Sequence, residues 1–274
     1  MNKILSKTLI TGADGMIGSY IDFGIKTDKS NLDITNSKQV LKMVKKYKPK
    51  VIIHLAAMTD LDLAERKPKL AYQINSVGTY NMAFAAKEVN AKFVYVSTAT
   101  VFDGLKKSPY KENDIPNPQN YYSQSKYLGE LIVQNLLKDY IIARSCWIFG
   151  GGKKKDKKFV AQIMRQLDKP EIKAVKDIYG SPTFGKDFVA GLKKLIIEDK
   201  KGIFHLSNEG VASRYEVARE IVKISKKRIK VIPVSASYFK VDAKRSGYEG
   251  MKSKIKFMRS WEKALKEYII SEWI

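Results

Sequence analysis

The segment that decides the fold is Thr8-Leu9-Ile10-Thr11-Gly12-Ala13-Asp14-Gly15-Met16-Ile17-Gly18. Its first four residues have the apolar and β-branched character of a buried strand, and three glycines follow at intervals of three. Glycines between a strand and a helix give a tight turn, let the backbone approach a pyrophosphate and direct the helix N-terminus at the phosphates. The segment therefore predicts a dinucleotide-binding loop, whose cofactor contacts we assign to Gly12, Asp14, Gly15, Met16, Ile17 and Gly18.

Outward from this loop, strand and helix patterns alternate along the first half of the chain. Apolar runs at 51–57, 93–97 and 141–148 predict buried strands, and helical spacing covers 37–47, 69–88 and 121–137. This order predicts an α/β fold with a doubly wound, parallel, Rossmann-like sheet. We expect residues 1–150 to form the dinucleotide-binding domain. Residues 151–274, in which the pattern loosens, are expected to form a smaller, mainly substrate-binding C-terminal lobe, with a soft boundary that allows strands to return to the sheet.

The first crossover is unusually short. An acidic residue that binds the adenosine ribose normally follows the glycines by about 20 residues, whereas Asp28 follows Gly18 by only ten. A whole βαβ crossover needs about 10–12 residues, so we expect a first helix of about one turn and a second strand near 21–25. Asp28 favours a free ribose 2′-hydroxyl, whereas Lys26 and Lys29 favour a 2′-phosphate. The balance slightly favours NADPH and leaves NADH open.

Composition narrows the classes of partner. The 274 residues include 51 Lys and Arg against 28 Asp and Glu, a net charge of +23. This charge suggests nucleic acid or a membrane surface, but 43 of the 51 are dispersed lysines, whereas base readers favour arginine. We therefore predict a solvated lysine-rich surface, no nucleic-acid partner and no membrane partner. Without a secretory h-region or an apolar run near 20 residues, a cytoplasmic location is expected.

Cysteine and histidine content limits metal and thiol chemistry. One cysteine excludes an intrachain disulfide, and two histidines leave little for a metal site, so no metal is predicted. Cys146, His54 and His205 all lie in predicted strands or at their ends. We expect all three to be structural.

A Tyr-x-x-x-Lys pattern lies on the helix predicted at 121–137. Tyr122 and Lys126 are one turn apart on one face, where an ammonium group favours phenolate and lowers the tyrosine pKa. The pattern alone is weak, because both residue types are abundant in this chain. Thr98, however, follows the strand at 93–97, and the carboxyl ends of parallel strands are where open α/β sheets bind ligands.

These three features together resemble the extended short-chain dehydrogenase/reductase family, in which an Asn on the preceding helix, matched by Asn75, completes a catalytic tetrad. Within that family the chain is similar to the dTDP-4-dehydrorhamnose reductases. Five blocks carry this similarity in the family's order: 56–65 (AAMTDLDLAE), 96–104 (VSTATVFDG), 144–150 (RSCWIFG), 179–183 (YGSPT) and 261–265 (WEKAL). The resemblance covers nearly the whole chain.

The resemblance implies NAD(P)H-dependent reduction of the C4 ketone of a nucleoside-diphosphate 4-keto-6-deoxy sugar. It implies that Tyr122 protonates the developing alkoxide, Lys126 binds the nicotinamide ribose, Thr98 polarises the carbonyl, and Asn75 positions the helix and a relay water. Further implied or expected cofactor contacts are Asp28, Lys29, Asp33, Ile34, Ala56, Ala57 and Lys126. Expected substrate contacts are Thr59, Thr98, Ala99, Tyr122, Trp147 and Arg245, with Arg245 on the sugar pyrophosphate. Because the family often forms dimers, a homodimer is a further expectation.

This interpretation leaves two departures from the family pattern and several alternative functions to consider. Ala99-Thr100 replaces the Asp-Tyr that follows the family's threonine, and the short first crossover alters the adenosine end. A nucleotide-sugar epimerase of the same family remains open, whereas a dehydratase lacks the extra acid/base pair it needs beside Thr98. A relative of the family is the regulatory subunit of methionine adenosyltransferase, so a non-catalytic subunit that binds dinucleotide and a partner protein is also open, although the intact tetrad favours an enzyme. A further alternative is nucleic-acid binding driven by the net charge, in which case the affinity for DNA would fall steeply as the salt concentration rises.

Overall fold

A six-stranded parallel sheet forms the centre of the protein. The computed structural model describes residues 3–274. The strands are β1 (Thr8–Thr11), β2 (Ile25–Thr27), β3 (Val51–His54), β4 (Lys92–Thr98), β5 (Tyr140–Ser145), β6 (Ile148–Phe149), β7 (Glu171–Val175), β8 (Tyr179–Gly180), β9 (Thr183–Phe184), β10 (Gly202–His205), β11 (Ala212–Ser213), β12 (Lys230–Val234) and β13 (Tyr248–Glu249). The central sheet has the order β2-β1-β3-β4-β5-β10, so its topological switch point, where such sheets bind ligands, lies between β1 and β3.

Helices cover both faces of this sheet. They are α1 (Lys3–Ser6), α2 (Ser37–Tyr47), α3 (Leu61–Arg66), α4 (Pro68–Tyr72), α5 (Gly78–Glu88), α6 (Tyr121–Leu136), α7 (Gly152–Lys155), α8 (Phe159–Met164), α9 (Gly185–Ile197), α10 (Arg214–Ile224) and α11 (Trp261–Glu272). A π-helical segment, Gln73–Val77, connects α4 to α5. In the part of the chain described, no helix combines the length and apolarity needed to cross a bilayer.

Two hydrophobic layers sandwich the sheet. Leu9 and Ile52 pack in the layer that α2, α5 and α6 cover, whereas their neighbours Ile10 and Ile53 pack in the layer that α9 covers. Successive strand residues point to opposite faces, so near-continuous apolar runs are what a strand buried on both sides requires. The prediction of a doubly wound α/β fold is confirmed.

The first crossover is reduced to one turn, as predicted, but the second strand lies later than expected. A 3₁₀ turn, Gly18–Tyr20, replaces the first helix, and β2 occupies Ile25–Thr27. The expected strand at 21–25 is wrong because Ile21 and Phe23 are buried in the core that includes α9. Gly24 then turns the chain at φ +75°, where a Cβ would lie 2.5 Å from the Thr8 carbonyl oxygen.

The second half of the chain contributes to both the sheet and a separate cluster. Helix α9 packs on the sheet, and β10 pairs with β5 as the edge strand. Around a second core, α8, α10 and α11 pack with the β7–β12 pair to form the C-terminal lobe. The strand predicted at 141–148 is interrupted after Ser145, because Trp147 adopts a left-handed backbone at φ +43°.

Candidate functional site

The glycine loop lies at the switch point between β1 and β3. Gly12 has φ +67°, and a Cβ there would lie 2.7 Å from the Ala56 backbone nitrogen. A Cβ on Gly18 would lie 2.3 Å from the Ala13 carbonyl oxygen, whereas one on Gly15 would meet only the Gly12 carbonyl oxygen, at 3.2 Å. Gly12 and Gly18 therefore serve packing, and Gly15 leaves backbone open to an approaching ligand. The loop fits the pyrophosphate of a dinucleotide.

The remaining loop residues surround this open backbone. Asp14 is exposed and receives the Lys155 ammonium group, which bonds its carbonyl oxygen at 2.8 Å and its carboxylate at 3.1 Å. Met16 accepts a hydrogen bond from the Ser19 hydroxyl, and Ile17 packs against the core. Only the short 3₁₀ turn follows the loop, in agreement with the expected first helix of about one turn. The phosphate contacts assigned to the loop therefore fall mainly on its backbone N–H groups and stay a prediction.

Asp28 follows directly after β2, at the edge of the sheet beside the glycine loop. Its carboxylate accepts hydrogen bonds from the Ser30 backbone and hydroxyl, at 2.7 and 2.5 Å, and these bonds lower its pKa. Lys29 is exposed next to it. An anionic Asp28 and an exposed lysine thus lie together, and their assignment to the adenosine ribose stays a prediction.

The predicted Asp33-Ile34 pair forms a turn docked on α5. Asp33 accepts hydrogen bonds from the backbone and hydroxyl of Thr35, at 2.9 and 2.7 Å, which hold its pKa low. The buried Ile34 offers its carbonyl oxygen to the Asn81 amide at 2.9 Å. These contacts give the turn a fixed position, and its assigned contact with the adenine stays a prediction.

Thr98, Tyr122 and Lys126 are brought together at the carboxyl edge of the sheet. Thr98 ends β4, and its hydroxyl lies 3.0 Å from the Thr100 hydroxyl. Asn120 caps α6 by accepting from the Ser123 backbone, which starts the helix just before Tyr122. All three predicted catalytic side chains are at least nine-tenths buried, and the Lys126 ammonium lies 4.1 Å from the centroid of the Tyr95 ring.

Asn75 ties two parts of this site together from the π-helical segment. Its side-chain oxygen accepts from the Met58 backbone at 2.8 Å, and its amide donates to the Met58 carbonyl at 3.1 Å and to the Ser125 hydroxyl at 2.9 Å. The Asn75 amide therefore connects the loop after β3 to α6, as expected for a positioning residue. The relay water stays a prediction. π-Bulges are frequent at functional sites.

Burial dominates the electrostatics of the catalytic pair. It raises the pKa of Tyr122 to about 12, with the Thr98 hydroxyl opposing and the charge of Glu249 reinforcing this change. It lowers the pKa of Lys126 to about 7, against the opposite effect of the Glu130 carboxylate. The net pKa of Tyr122 is therefore raised, and the predicted lowering by Lys126 is not among the causes of this shift. Tyr122 is protonated at neutral pH, which is the state a general acid needs.

Of the residues expected to contact the substrate, some are exposed and others are buried or already paired within the protein. Thr59 is exposed in the loop after β3, whereas Ala99 is 1% exposed and packs with Cys146 and Met251, so its methyl group faces the core. Arg245 is already paired, since its guanidinium lies 2.7 Å from Asp62. Ala56 and Ala57 are half-buried in the same loop as Thr59, close to the glycine turn.

Trp147 is held in place by residues that the sequence analysis missed. Its indole N–H donates to the buried Glu249 carboxylate at 2.8 Å, and the Arg214 guanidinium lies 3.9 Å from its ring centroid. A Cβ on Gly180 would lie 2.4 Å from the indole. No spacing motif marks Arg214 or Glu249, because the fold brings them from sequence positions 67 and 102 residues beyond the tryptophan.

The residues expected to be structural are embedded in the core. His54 lies 2.7 Å from the Thr11 hydroxyl, and burial followed by the charge of Lys126 lowers its pKa to about 3. Burial lowers the pKa of His205 to about 4 and raises that of the Cys146 thiol. Both histidines are therefore neutral, and the thiol is protonated. Within residues 3–274, no three His, Cys, Asp or Glu side chains are grouped to hold a metal ion.

The chain is similar to one protein family and to several known proteins over most of its length. The model of the RmlD substrate binding domain family matches residues 6–272. The chain is similar to the dTDP-4-dehydrorhamnose reductase of Mycobacterium tuberculosis (strain ATCC 25618 / H37Rv), with 32% identity over 281 residues that cover 94% of this chain and 91% of that protein.

Two solved structures share the fold at higher identity. The crystal structure of a dTDP-4-dehydrorhamnose reductase from Clostridium acetobutylicum ATCC 824 is 37% identical, has a TM-score of 0.92, and covers 96% of this chain and 98% of its own. That of the Bacillus anthracis str. Ames dTDP-4-dehydrorhamnose reductase, a complex with NADP, is also 37% identical, has a TM-score of 0.91, and covers the same shares.

Proposed function

The chain belongs to the RmlD substrate binding domain family, and from that premise we propose that it is an NADPH-dependent dTDP-4-dehydrorhamnose reductase of deoxysugar biosynthesis. It is an oxidoreductase of the extended short-chain dehydrogenase/reductase type. The observation that carries the proposal is the meeting of buried Thr98, Tyr122 and Lys126 at the sheet edge that also carries the glycine loop. An NADP complex of a 37% identical neighbour supports the choice of cofactor.

The glycine loop is the part of the chain that holds the dinucleotide. Bound NADPH supplies the hydride that reduces the C4 ketone. The open backbone at Gly15 receives the pyrophosphate, and Lys155 adds a positive charge beside Asp14 at the same loop. We assign recognition of the adenosine ribose and its phosphate to Asp28, which follows β2 directly, and to the exposed Lys29.

The catalytic residues stabilise and protonate the oxygen on which negative charge develops. The Thr98 hydroxyl oxygen accepts from the Thr100 backbone N–H at 3.2 Å, and its one hydroxyl hydrogen is the donor that we assign to the carbonyl oxygen. Tyr122, protonated at neutral pH, transfers its proton to the alkoxide. The charged form of Lys126 stabilises the phenolate that remains, one turn away on the same helix face.

Reduction is favoured over the other interpretations of the sequence. The reductase relatives match along nearly the whole chain, and the catalytic hydroxyls and ammonium group are all present. Ala99 and Thr100, which follow Thr98, carry no carboxylate. This chain therefore lacks the acid/base pair that a dehydratase would need beside Thr98.

A homodimer and a cytoplasmic location are part of the proposal. The π-helical segment, α5 and α6 pack side by side and expose an apolar face that comprises Val77, Tyr80, Phe84, Leu128 and Leu131. Exposed apolar patches of this kind mark protein interfaces. Sedimentation of twice the monomer mass is expected, and Tyr80→Lys should shift the protein toward monomer. The cytoplasm supplies the reduced dinucleotide.

NADPH and NADH oxidation against dTDP-, UDP- and GDP-linked 4-keto-6-deoxy sugars tests the proposed function. We expect turnover with dTDP-4-dehydrorhamnose and a higher kcat/KM with NADPH than with NADH. Lack of turnover with every sugar, while NADPH binds, would overturn the proposal.

A further inference from the structure

Arg214 is a cation that forms no ion pair among the described residues, although the Glu249 carboxylate is near enough to raise its pKa. It is the first residue of α10, and Ser213 and Glu216 fix this end of the helix through a capping box. Its guanidinium lies between aromatic rings, 3.9 Å from the Trp147 centroid and 4.7 Å from the Phe159 centroid. Ion pairs formed within residues 3–274 include Arg245 with Asp62 but do not include Arg214. Its N–H donors therefore remain available to a ligand.

Two more cations lie close enough to repel Arg214. Desolvation and the charge of Arg245 lower the pKa of Arg214 to about 10, against the attraction of Glu249. Desolvation also lowers the pKa of Lys158. The charges of Arg214 and Arg245 lower this pKa further, whereas the carboxylates of Asp60 and Asp156 raise it. Charges of one sign held together are destabilising unless an anion joins them. Asp62 pairs with Arg245, and Asp60 and Asp156 attract Lys158. In this cationic cluster of Lys158, Arg214 and Arg245, Arg214 is therefore the member with no carboxylate of residues 3–274 in ion-pair contact, and it is the one best able to bind an anionic ligand.

This cationic cluster lies beside the residues expected to contact the sugar. The Lys158 ammonium bonds the Thr59 carbonyl oxygen at 3.2 Å. Arg214 stacks on Trp147, whose indole is held by Glu249, and the Glu249 charge acts on Tyr122. The cluster thus connects the loop after β3, through Lys158, to Trp147 and to α10 of the C-terminal lobe.

We propose that Arg214, with Lys158 beside it, binds the diphosphate of the nucleotide-sugar substrate. This inference rests on the proposed function and replaces Arg245 as the principal diphosphate ligand. A guanidinium presents a planar fork of donors that matches phosphate oxygens in a bidentate arrangement. Stacking on Trp147 holds the fork in one orientation before the ligand binds, which reduces the entropy lost on binding. Arg245, in contrast, already uses its fork on Asp62 and the Ala243 carbonyl oxygen.

Calorimetric titration with dTDP and with thymidine separates the diphosphate contribution from that of the nucleoside. We expect wild-type protein to bind dTDP more tightly than thymidine. Arg214→Gln should weaken dTDP binding about 10- to 100-fold, the range of a charge-assisted contact, and should leave thymidine affinity and NADPH affinity unchanged. The matched control is Arg219→Gln, an exposed arginine on the same helix, which should leave dTDP affinity unchanged.

Three outcomes would overturn the inference. They are wild-type dTDP affinity in Arg214→Gln, an equal loss of thymidine affinity in that variant, and a larger dTDP loss in Arg245→Gln than in Arg214→Gln. These outcomes are independent of turnover. Failure of the wild-type protein to reduce any sugar would instead count against the proposed function, even if Arg214 binds dTDP as described.

Discussion

Lys126 holds its ammonium group in a position that is only 3% exposed, over the face of the Tyr95 ring. The ring attracts the cation, and the Glu130 carboxylate favours the charged form. Glu130 is itself committed to Arg144, in a buried bidentate pair with distances of 2.9 and 2.6 Å. Desolvation therefore prevails, and the pKa of Lys126 falls to about 7.

This burial predicts a pH-dependent stability difference between wild type and Lys126→Met. Between pH 7 and 10.5 the unfolded chain binds a proton that folded Lys126 does not, so the lysine's contribution to stability rises with pH, by up to about 1.4 kcal/mol per unit. Below pH 7 Lys126 is protonated in both the folded and the unfolded state, so the full cost of burying its charge lowers the free energy of unfolding. The advantage of Lys126→Met should thus be largest near pH 7 and smaller at pH 9, as urea unfolding without cofactor would measure.

The exposed helix lysine Lys38 provides the control. Lys38→Met should change the free energy of unfolding by a similar small amount at each pH. A Lys126→Met advantage that stays constant from pH 7 to 9 would show that the folded-state pKa of Lys126 is not lowered.

Residue identities in the site were predictable where a local pattern fixes them. Thr98 lies at a strand end, and Tyr122 and Lys126 lie one helical turn apart, so these local patterns, together with the family resemblance, predict that the three side chains meet. The direction of the Tyr122 pKa was not predictable, because it depends on desolvation and on Glu249, which is 127 positions away in the sequence. Arg214 was missed for the same reason.

The glycines of the loop after β1 have two different functions, packing of the loop and access for the cofactor. Gly12 meets the Ala56 backbone, whereas Gly15 faces open space apart from the Gly12 carbonyl oxygen. Packing of the loop and access for the cofactor therefore depend on different glycines, and substitutions at the two positions should have different consequences.

Gly12→Ala and Gly15→Ala should separate stability from cofactor binding. Gly12→Ala forces a side chain to φ +67° with a contact of 2.7 Å, so we expect a loss of at least about 2 kcal/mol in unfolding free energy. Gly15→Ala should cost less than about 1 kcal/mol but weaken NADPH binding about tenfold or more, because its methyl group occupies the phosphate approach. Urea unfolding and fluorescence titration of NADPH measure the two effects.

Equal destabilisation by both substitutions, or unaltered NADPH affinity in Gly15→Ala, would contradict this division. Gly247→Ala serves as the control, since a Cβ there has no neighbour nearer than 3.9 Å. It should change neither quantity appreciably.

The alternation of strands and helices along the first half of the chain was predictable, and the bounds of these elements were less so. Apolar runs identified β1, β3 and β4 because strands buried on both faces need continuous apolar sequence. The position of β2 was wrong, since Ile21 and Phe23 have a strand-like composition but fill the core before the turn at Gly24. Local composition cannot distinguish a buried loop from a buried strand when only the backbone turn differs.

For the whole molecule, the net charge of +23 is spread over a surface rich in lysine. Few of these lysines have a part in the site: Lys126 at the tyrosine, Lys155 at the glycine loop and Lys158 at the cationic cluster. The remaining charge adds a general positive field. Such a field accelerates capture of anionic ligands at low salt, and both the cofactor and the proposed substrate are anionic.

Added salt should therefore slow the capture of NADPH more than it slows the chemical step. Between about 0.05 and 0.5 M NaCl the Debye length shrinks from roughly 14 to 4 Å, so kcat/KM for NADPH should fall severalfold while kcat changes little. Duplex DNA should not be retained near 0.15 M salt. Salt-independent kcat/KM would remove any role for the field, and tight DNA binding at that salt concentration would restore the nucleic-acid alternative.

Single-turnover oxidation of bound NADPH by dTDP-4-dehydrorhamnose, compared between wild type and Tyr122→Phe, tests the central claim most directly. The variant keeps the ring, which is only 8% exposed, and removes the proton donor. We expect the rate to fall about 10²- to 10⁴-fold with NADPH affinity unchanged within about twofold, because only proton transfer is lost. A wild-type rate in Tyr122→Phe would contradict the assignment of Tyr122 as the acid that protonates the reduced sugar.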